Sequence, residues 1–97
     1  MKILALEHDV AGATPEQFQE YAVAEARKVW DLTQAGAIRE SYFRADRSES
    51  VLVLECASIP EAQAILFALP LVQNCLITFE LIPLKAYPGF ERLFTKD

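Results

Sequence analysis

The stretch that decides the fold runs from Ile65 to Leu84 and has the sequence ILFALPLVQNCLITFELIPL. Its first part carries apolar residues at helical spacing as far as Pro70, and the residue before a proline disfavours the helical conformation. After a polar turn, a second apolar run begins at Leu76. The stretch therefore predicts a helix that ends at Pro70, followed by a long final strand from Leu76 to Leu84.

The rest of the chain adds three strands, a first helix and a terminal helical turn. Thr14 and Gln17 form a predicted capping box that opens the first helix, and Gly36 supplies its left-handed stop; Ser58 and Glu61 form a second capping box. The predicted strands are Ile3 to His8, Ile38 to Ala45 and Val51 to Cys56, and the helical turn spans Phe90 to Phe94. This order predicts an α+β domain over residues 1–97, the ferredoxin-like βαββαβ plait, with a four-stranded antiparallel sheet and both helices on one face.

Composition limits the classes of partner. The 97 residues carry a net charge of −5 and are 53% hydrophobic. An acidic chain is repelled by nucleic acid and by anionic membranes, so we expect neither as a partner. The apolar run that follows Met1-Lys2 is too short for a signal peptide or a membrane span. We therefore expect a cytoplasmic protein in which Cys56 and Cys75 are buried free thiols.

The period of two along each strand predicts what each face of the sheet contacts. One face is almost wholly apolar and is expected beneath the helices. The other mixes aliphatic with polar residues, and a second copy of the chain is its simplest cover, which would give a homodimer, the dimeric α+β barrel. The first set is Leu4, Leu6, Phe43, Leu52, Leu54, Cys56, Ile77, Phe79 and Leu81; the second is Ile3, Ala5, Glu7, Glu40, Tyr42, Arg44, Val51, Val53, Glu55, Leu76, Thr78, Glu80 and Ile82.

The polar residues of the second set are the candidate site, in a cleft between the two sheets that could hold a small organic ligand. We expect the first and third strands to be parallel neighbours, which would place Glu7 beside Glu55 as a carboxylate pair with one raised pKa. With Tyr42 they form the predicted catalytic group. The predicted substrate-binding residues are Arg44, Glu40, Glu80 and Tyr87. The alternative is structural: these acids contact solvent at the end of the sheet, or they pair across the dimer with Arg44 or Arg39.

Other kinds of site find little support in the residues. One histidine, His8, and two separated cysteines cannot build a tetrahedral metal site. The three glycines are isolated, so the chain has no phosphate-binding loop. We therefore predict no metal and no cofactor.

Several short motifs resemble one family. They are the pair Phe43-Arg44, the strand end Val53-Leu54-Glu55, the tripeptide Leu69-Pro70-Leu71, and Pro83-Leu84 with Pro88. Together they resemble the muconolactone isomerase family, a branch of the dimeric α+β barrels. The resemblance implies a homodimer, an isomerase acting on a small cyclic or aromatic-derived compound, and a site role for Arg44 and Glu55.

Three positions differ from what that family shows. Tyr87 and Gln63 stand where the family has histidines, and Glu7 stands where it has a basic residue. Whether the chain is an enzyme therefore stays open, and so do three hypotheses. One is a cofactor-free isomerase, or a relative of the barrel monooxygenases, with a Glu7/Glu55 base. Another is a non-catalytic binding module for a small ligand, and the third is a structural dimer whose cleft is filled by its own side chains.

Overall fold

The computed structural model describes residues 1–95 and confirms the predicted plait. Its four strands form one antiparallel sheet in the order β2-β3-β1-β4. Of the described helices, none is both long and apolar enough to cross a bilayer. The elements are β1 (Lys2–Asp9), α1 (Pro15–Gln34), β2 (Ile38–Phe43), β3 (Ser50–Glu55), α2 (Ile59–Phe67), α3 (Pro70–Gln73), β4 (Ile77–Leu84) and a C-terminal 3₁₀ helix (Pro88–Leu93).

Local sequence signals account for the ends of helix α1. The Thr14 N–H donates to Gln17 Oε1 at 2.8 Å, and the Gln17 N–H donates to Thr14 Oγ1 at 3.3 Å, which completes the predicted capping box. Pro15 occupies the first turn, where its missing N–H costs nothing. The helix ends before Gly36, whose φ of 84° lies in the left-handed region that glycine adopts without strain.

Pro70 separates the second helical segment into two helices. Helix α2 ends at Phe67, and Pro70 then occupies the first turn of the short helix α3. Leu69 and Leu71, on either side of Pro70, are buried in the core. Ser58 caps α2 through its hydroxyl, but Glu61 accepts from the Ala57 N–H rather than from Ser58, so the second capping box is only half formed.

The register of the sheet corrects one expectation. Strands β1 and β3 are antiparallel neighbours, with Lys2 opposite Glu55 and Leu6 opposite Val51. Glu7 and Glu55 therefore lie at opposite ends of the strand pair, about 17 Å apart along the strands. Glu40 lies opposite Val53, after a shift in the β2–β3 register between Ile38 and Glu40.

The two faces of strand β1 are also the reverse of the prediction. The residues that pack beneath the helices, here called the covered face, include Ile3, Ala5 and Glu7, which pair laterally with core residues of β3 and β4. Leu4, Leu6 and His8 belong to the opposite side, the open face. The open face also includes Glu40, Tyr42, Val51, Val53, Glu55, Thr78, Glu80 and Ile82.

The core lies between the covered face and the helices. Its largest fully buried side chains are Ile3, Ile38, Leu54, Leu69 and Ile77. Leu76, which was predicted on the open face, is instead buried in a second cluster with Leu71 and Ile77. Cys56 is buried and Cys75 is exposed, and both are free, so the prediction of two buried thiols is wrong for Cys75.

Candidate functional site

A cavity of about 950 Å³ lies between helix α1 and the covered face of the sheet. Strands β1, β2 and β3 form its floor, α1 forms one wall, and Leu69 and Leu71 border it beside α3. This volume is within the range of natural small-molecule sites, about 300–1,000 Å³. The cavity therefore lies within one chain, under the helix, and not on the face where the sequence predicted a cleft.

Glu7 is the buried acidic group on the floor of this cavity. It is only 7% exposed, and its Oε1 accepts two hydrogen bonds from Ser50, from the N–H at 3.0 Å and from the hydroxyl at 2.8 Å. The register explains the contact, because Ser50 and Glu7 lie at the same end of the paired strands on the covered face. A buried carboxyl held this way has a fixed position from which it can act on a ligand.

The surroundings of Glu7 raise its pKa to about 7. Burial is the main cause, because it penalises the charged form, and hydrogen bonding to Asp9 acts in the same direction. The two hydrogen bonds from Ser50 favour the carboxylate and limit the rise. Near neutral pH the group is thus present both as acid and as base, the condition under which a carboxyl transfers protons well.

Contacts of Asp9 and Glu49 join the β2–β3 turn to the end of strand β1. The Asp9 N–H donates to Glu49 Oε2 at 3.2 Å, and Arg47 Nε lies 2.6 Å from Glu49 Oε1. Glu49 Oε1 is buried and receives no well-aligned hydrogen bond, so the pairing with Arg47 is ionic. These contacts hold the turn against the strand and fix one rim of the cavity.

Glu25 is a second acid of the cavity and is half-buried in its wall. It projects from α1, and its Oε1 accepts a hydrogen bond from the Leu71 N–H at 2.9 Å, which satisfies a free donor at the start of α3. Burial raises the pKa of Glu25, while the bond from Leu71 opposes the rise. Glu25 therefore ties α1 to α3 at the edge of the site.

The predicted site residues divide between the two faces of the sheet. Of the predicted catalytic group, Glu7 lies on the floor of the cavity, Tyr42 borders it at the end of β2 although its register places it on the open face, and Glu55 does not border it. The Tyr42 hydroxyl donates to Glu40 Oε1 at 2.6 Å, and this bond raises the pKa of Tyr42.

Glu55 has a different partner from the one expected. Its Oε2 is 2.7 Å from the Met1 ammonium, and hydrogen bonding to that group lowers the pKa of Glu55. The expected raised pKa thus belongs to Glu7 and not to Glu55. Within the chain, Arg44 donates two hydrogen bonds to Asp46, at 2.9 and 2.7 Å, and the pairing of Glu55 with Arg44 across a dimer stays a prediction.

The remaining two predicted residues lie away from the cavity. Glu80 is on the open face, where its Oε1 is 3.4 Å from His8 Nε2. Tyr87 follows β4 and packs edge-on against Phe90, with ring centroids 5.0 Å apart. The roles proposed for these residues stay predictions.

Sequence reasoning missed most of the cavity lining, including the polar or aromatic residues Asp9, Glu25, Trp30 and Ser50. One signal was available: Glu25 continues the helical spacing of Phe18, Tyr21, Val29 and Leu32, so a carboxyl occupies a core position of α1. Among residues 1–95, no group of three or more His, Cys, Asp or Glu side chains could hold a metal ion.

Comparison with models of protein families shows which family the chain belongs to. The model of muconolactone delta-isomerase matches residues 6–89, which is most of the chain. The chain belongs to the muconolactone delta-isomerase family. This confirms the resemblance that was based on the motifs from Phe43 to Pro88. No curated protein matches the chain at a significant level.

A solved structure supports the fold of this family member. The 5-chloro-2-hydroxyhydroquinone dehydrochlorinase TftG from Burkholderia phenoliruptrix AC1100, in complex with 2,5-dihydroxybenzoquinone, aligns with a TM-score of 0.71. The alignment covers 92% of this chain and 98% of that chain at 16% sequence identity. At this identity the likeness establishes the shared α+β fold. The chain is thus a small α+β protein of the muconolactone delta-isomerase family.

Proposed function

We propose that the protein is a cofactor-free isomerase that moves a proton within a small cyclic carbonyl compound bound in the cavity under α1. One observation carries the proposal: Glu7, buried and held by Ser50, has a pKa of about 7 on the floor of a cavity of ligand size. Buried carboxyls with such a shift occur most often at functional sites.

The proposed step needs one acid–base group. The ligand of this step carries a carbon–carbon double bond beside its carbonyl. The Glu7 carboxylate removes a proton from the carbon between the two groups, and the electron pair spreads over both as a dienolate. The Glu7 acid then returns the same proton at a different carbon, so the product is an isomer. A single carboxyl can perform both transfers because its pKa is close to the working pH.

The family and the solved neighbour support this class of ligand. The family is described as muconolactone delta-isomerase, and the neighbour holds 2,5-dihydroxybenzoquinone. The lactone in the family description and the quinone held by the neighbour are small oxygenated compounds in which a carbonyl acidifies a neighbouring carbon or hydroxyl. The cavity lining supports it too, because Phe18, Trp30 and Phe43 provide aromatic surface for a ring.

We also propose that the protein works as a homodimer in which two open faces meet. Leu4, Leu6, Val51, Val53 and Ile82 form an apolar centre on that face, and both long helices lie on the other side of the sheet. The chain exposes 6842 Å² of surface. A compact monomer of this mass exposes about 5,600 Å², so the excess favours a partner.

The C-terminal arm, defined here as residues 85–95, supports the same assembly. Phe90, Leu93 and Phe94 in this arm are each more than 60% exposed. The radius of gyration is 16.1 Å, whereas a compact chain of this length has about 12.5 Å. We propose that the arm packs on the partner subunit, and that the dimer acts in the cytoplasm, where the exposed thiol of Cys75 stays reduced.

The experiment is a substrate screen with a matched pair of variants. Unsaturated lactones and dihydroxyquinones are incubated with the protein, with Glu7→Gln and with Glu55→Gln, and isomer formation is followed by NMR. We expect turnover by the wild type and by Glu55→Gln, and a loss of about 10²–10⁴-fold in kcat for Glu7→Gln.

Two outcomes would count against the proposal. Turnover by Glu7→Gln at the wild-type rate would show that Glu7 is not the catalytic base. Saturable binding of these compounds with no turnover by the wild type would favour the binding module instead.

A further inference from the structure

We infer that Glu25 is a second catalytic residue of the cavity under α1, where its carboxylic acid donates to the carbonyl oxygen of the bound ligand. This inference rests on the proposed function, which takes the cavity as the site and Glu7 as the base. The position of Glu25, its free oxygen and the engagement of the other donors in the lining support this role.

The proposed proton transfer places negative charge on the ligand oxygen. When Glu7 removes the proton from carbon, part of the electron pair moves onto that oxygen, and a donor in the site must stabilise it. None of the described lining residues is Lys, Arg or His. Arg27, two residues beyond Glu25 on α1, lines the adjoining pocket and not the cavity. The oxygen therefore needs an uncharged donor.

Several hydroxyl groups of the lining have already donated their one proton. The Ser50 hydroxyl donates to Glu7 Oε1 at 2.8 Å, and the Thr33 hydroxyl donates to a carbonyl of its own helix at 2.7 Å. The Tyr42 hydroxyl donates to Glu40 Oε1 at 2.6 Å. The remaining hydroxyl, amide and indole donors belong to exposed side chains, for which water competes: Gln19, Trp30, Ser41 and Ser48. Among the described residues, the lining thus offers a free and sheltered side-chain donor only where a carboxyl is protonated.

Glu25 is the lining carboxyl best suited to hold that proton. It is half-buried, whereas Asp9 is exposed and Glu7 is the proposed base. The Leu71 N–H donates to Glu25 Oε1 at 2.9 Å, and no described residue donates to Oε2, which stays free for a proton. Burial raises the pKa of Glu25 and so favours its neutral form. Helix α3, which Glu25 contacts, carries no titratable side chain.

The two acids then have separate tasks. The Glu7 carboxylate takes the proton from carbon while the Glu25 acid gives its proton to the carbonyl oxygen, so a neutral dienol forms. The Glu7 acid returns its proton at the far end of the former double bond. The proton on oxygen goes back to the Glu25 carboxylate as the carbonyl forms again, and both acids end in their starting states.

A conservative variant separates this role from a structural one. Glu25→Gln keeps an oxygen that can accept from the Leu71 N–H but loses the acidic proton, so a structural role predicts little change. We expect kcat for the screened compounds to fall by about 10²-fold, with KM and melting temperature close to those of the wild type. Glu20→Gln, at an exposed residue of the same helix outside the lining, is the matched control and should keep wild-type turnover. Turnover by Glu25→Gln at the wild-type rate would overturn the inference.

A stable analogue tests the same contact without turnover. 4-Nitrophenol is a planar ring whose ionised oxygen imitates that of the dienolate. Repulsion alone predicts tighter binding of the phenolate to Glu25→Gln, because this variant has lost a negative charge. We expect the opposite, binding about tenfold weaker than to the wild type by calorimetry at about pH 7, because the acidic donor is lost. Equal or tighter binding by Glu25→Gln would overturn the inference, and so would an absence of wild-type binding up to the millimolar range.

A measurement on the wild type does not depend on how the variant folds. When 4-nitrophenol binds, the NMR signal of the Glu25 carboxyl carbon should move to the position of the protonated form. A signal that stays at the position of the carboxylate would contradict the role of Glu25 as a donor.

Failure of this inference is separable from failure of the proposed function. Turnover that depends on Glu7 but is unchanged in Glu25→Gln would contradict only the role of Glu25. Binding of 4-nitrophenol that depends on Glu25, by a protein that turns over none of the screened compounds, would contradict the catalytic proposal and confirm the hydrogen bond from Glu25 to the ligand oxygen.

Discussion

The covered face and the open face of the same sheet treat their polar residues in opposite ways. On the covered face, Glu7 is enclosed by helix α1, and its pKa rises to about 7. On the open face, Glu55 is held by the Met1 ammonium and its pKa falls. Burial without a counter-ion thus raises the pKa of a carboxyl toward neutrality, where it can transfer protons, whereas pairing with a cation lowers the pKa and keeps the group ionised.

The largest expected effect is the loss of the proposed dimer when a charge is placed on the open face. Val53→Lys would place an ammonium at the centre of the proposed dimer interface twice, once from each subunit. Burying an unpaired charge costs several kcal/mol, so we expect the dissociation constant to rise by more than about a thousandfold. Light scattering with dilution measures it. Val23→Lys, at a residue of α1 that is 80% exposed, is the control. A dimer that persists in Val53→Lys would mean that the open face is not the interface.

The next largest effect concerns the covered face, where Glu7 makes the free energy of unfolding depend on pH. The pKa of Glu7 rises on folding from 4.5 to about 7, so between these values the folded state binds more protons than the unfolded state. The free energy of unfolding therefore falls as pH rises through this window, by up to about 3 kcal/mol. Denaturant unfolding at fixed protein concentration should show this fall in the wild type and a flatter profile in Glu7→Gln. Parallel profiles for the two proteins would show that Glu7 titrates normally.

A smaller effect concerns the partner of Glu7. In the wild type the Ser50 hydroxyl donates to Glu7 Oε1 at 2.8 Å, and this hydrogen bond favours the carboxylate. Ser50→Ala removes it. We expect the pKa of Glu7 to rise further, so the acidic limb of the pH–rate profile should move upward by about half to one pH unit. Ser48→Ala, at another serine of the lining, is the matched control. An unchanged profile in Ser50→Ala would exclude Glu7 as the titrating group.

The smallest effect lies on the open face again. Glu55→Gln weakens an exposed ion pair with the Met1 ammonium, and such pairs contribute little to stability. We expect a slight fall in melting temperature and no change in turnover. A clear rise in melting temperature would instead indicate that Glu55 is under like-charge repulsion, as the predicted pairing with Glu7 required.

The elements and the family could be predicted because their signals are local. Thr14, Gly36 and Pro70 each act on neighbouring backbone, and the structure has helix ends at all three. The faces of β1 could not be predicted in the same way. Ile3, Leu4, Ala5 and Leu6 are all apolar, so a period of two fits either orientation, and only pairing with β3 and β4 decides which side meets the helices.

The candidate site was displaced by the same ambiguity. Glu7 was predicted on the open face and lies on the covered face, because the orientation of β1 is the reverse of the expected one. The expectation that β1 and β3 are parallel placed Glu55 beside Glu7, whereas the antiparallel pairing places it at the other end of the strand pair. Glu7 was nevertheless identified as an acid in an apolar strand. Its partner Ser50 comes from the register of β3, which the sequence of β1 does not contain.

The hydrogen bond between Glu25 and the Leu71 N–H has a consequence for inheritance. The Leu69-Pro70-Leu71 tripeptide places that N–H at the start of α3, and position 25 supplies its acceptor from a helix 46 residues away. Neither partner is useful without the other, since an unanswered carboxyl or N–H at this half-buried point destabilises the protein. Descendants of this chain should therefore keep a side chain that can accept this hydrogen bond at position 25, such as Glu or Gln.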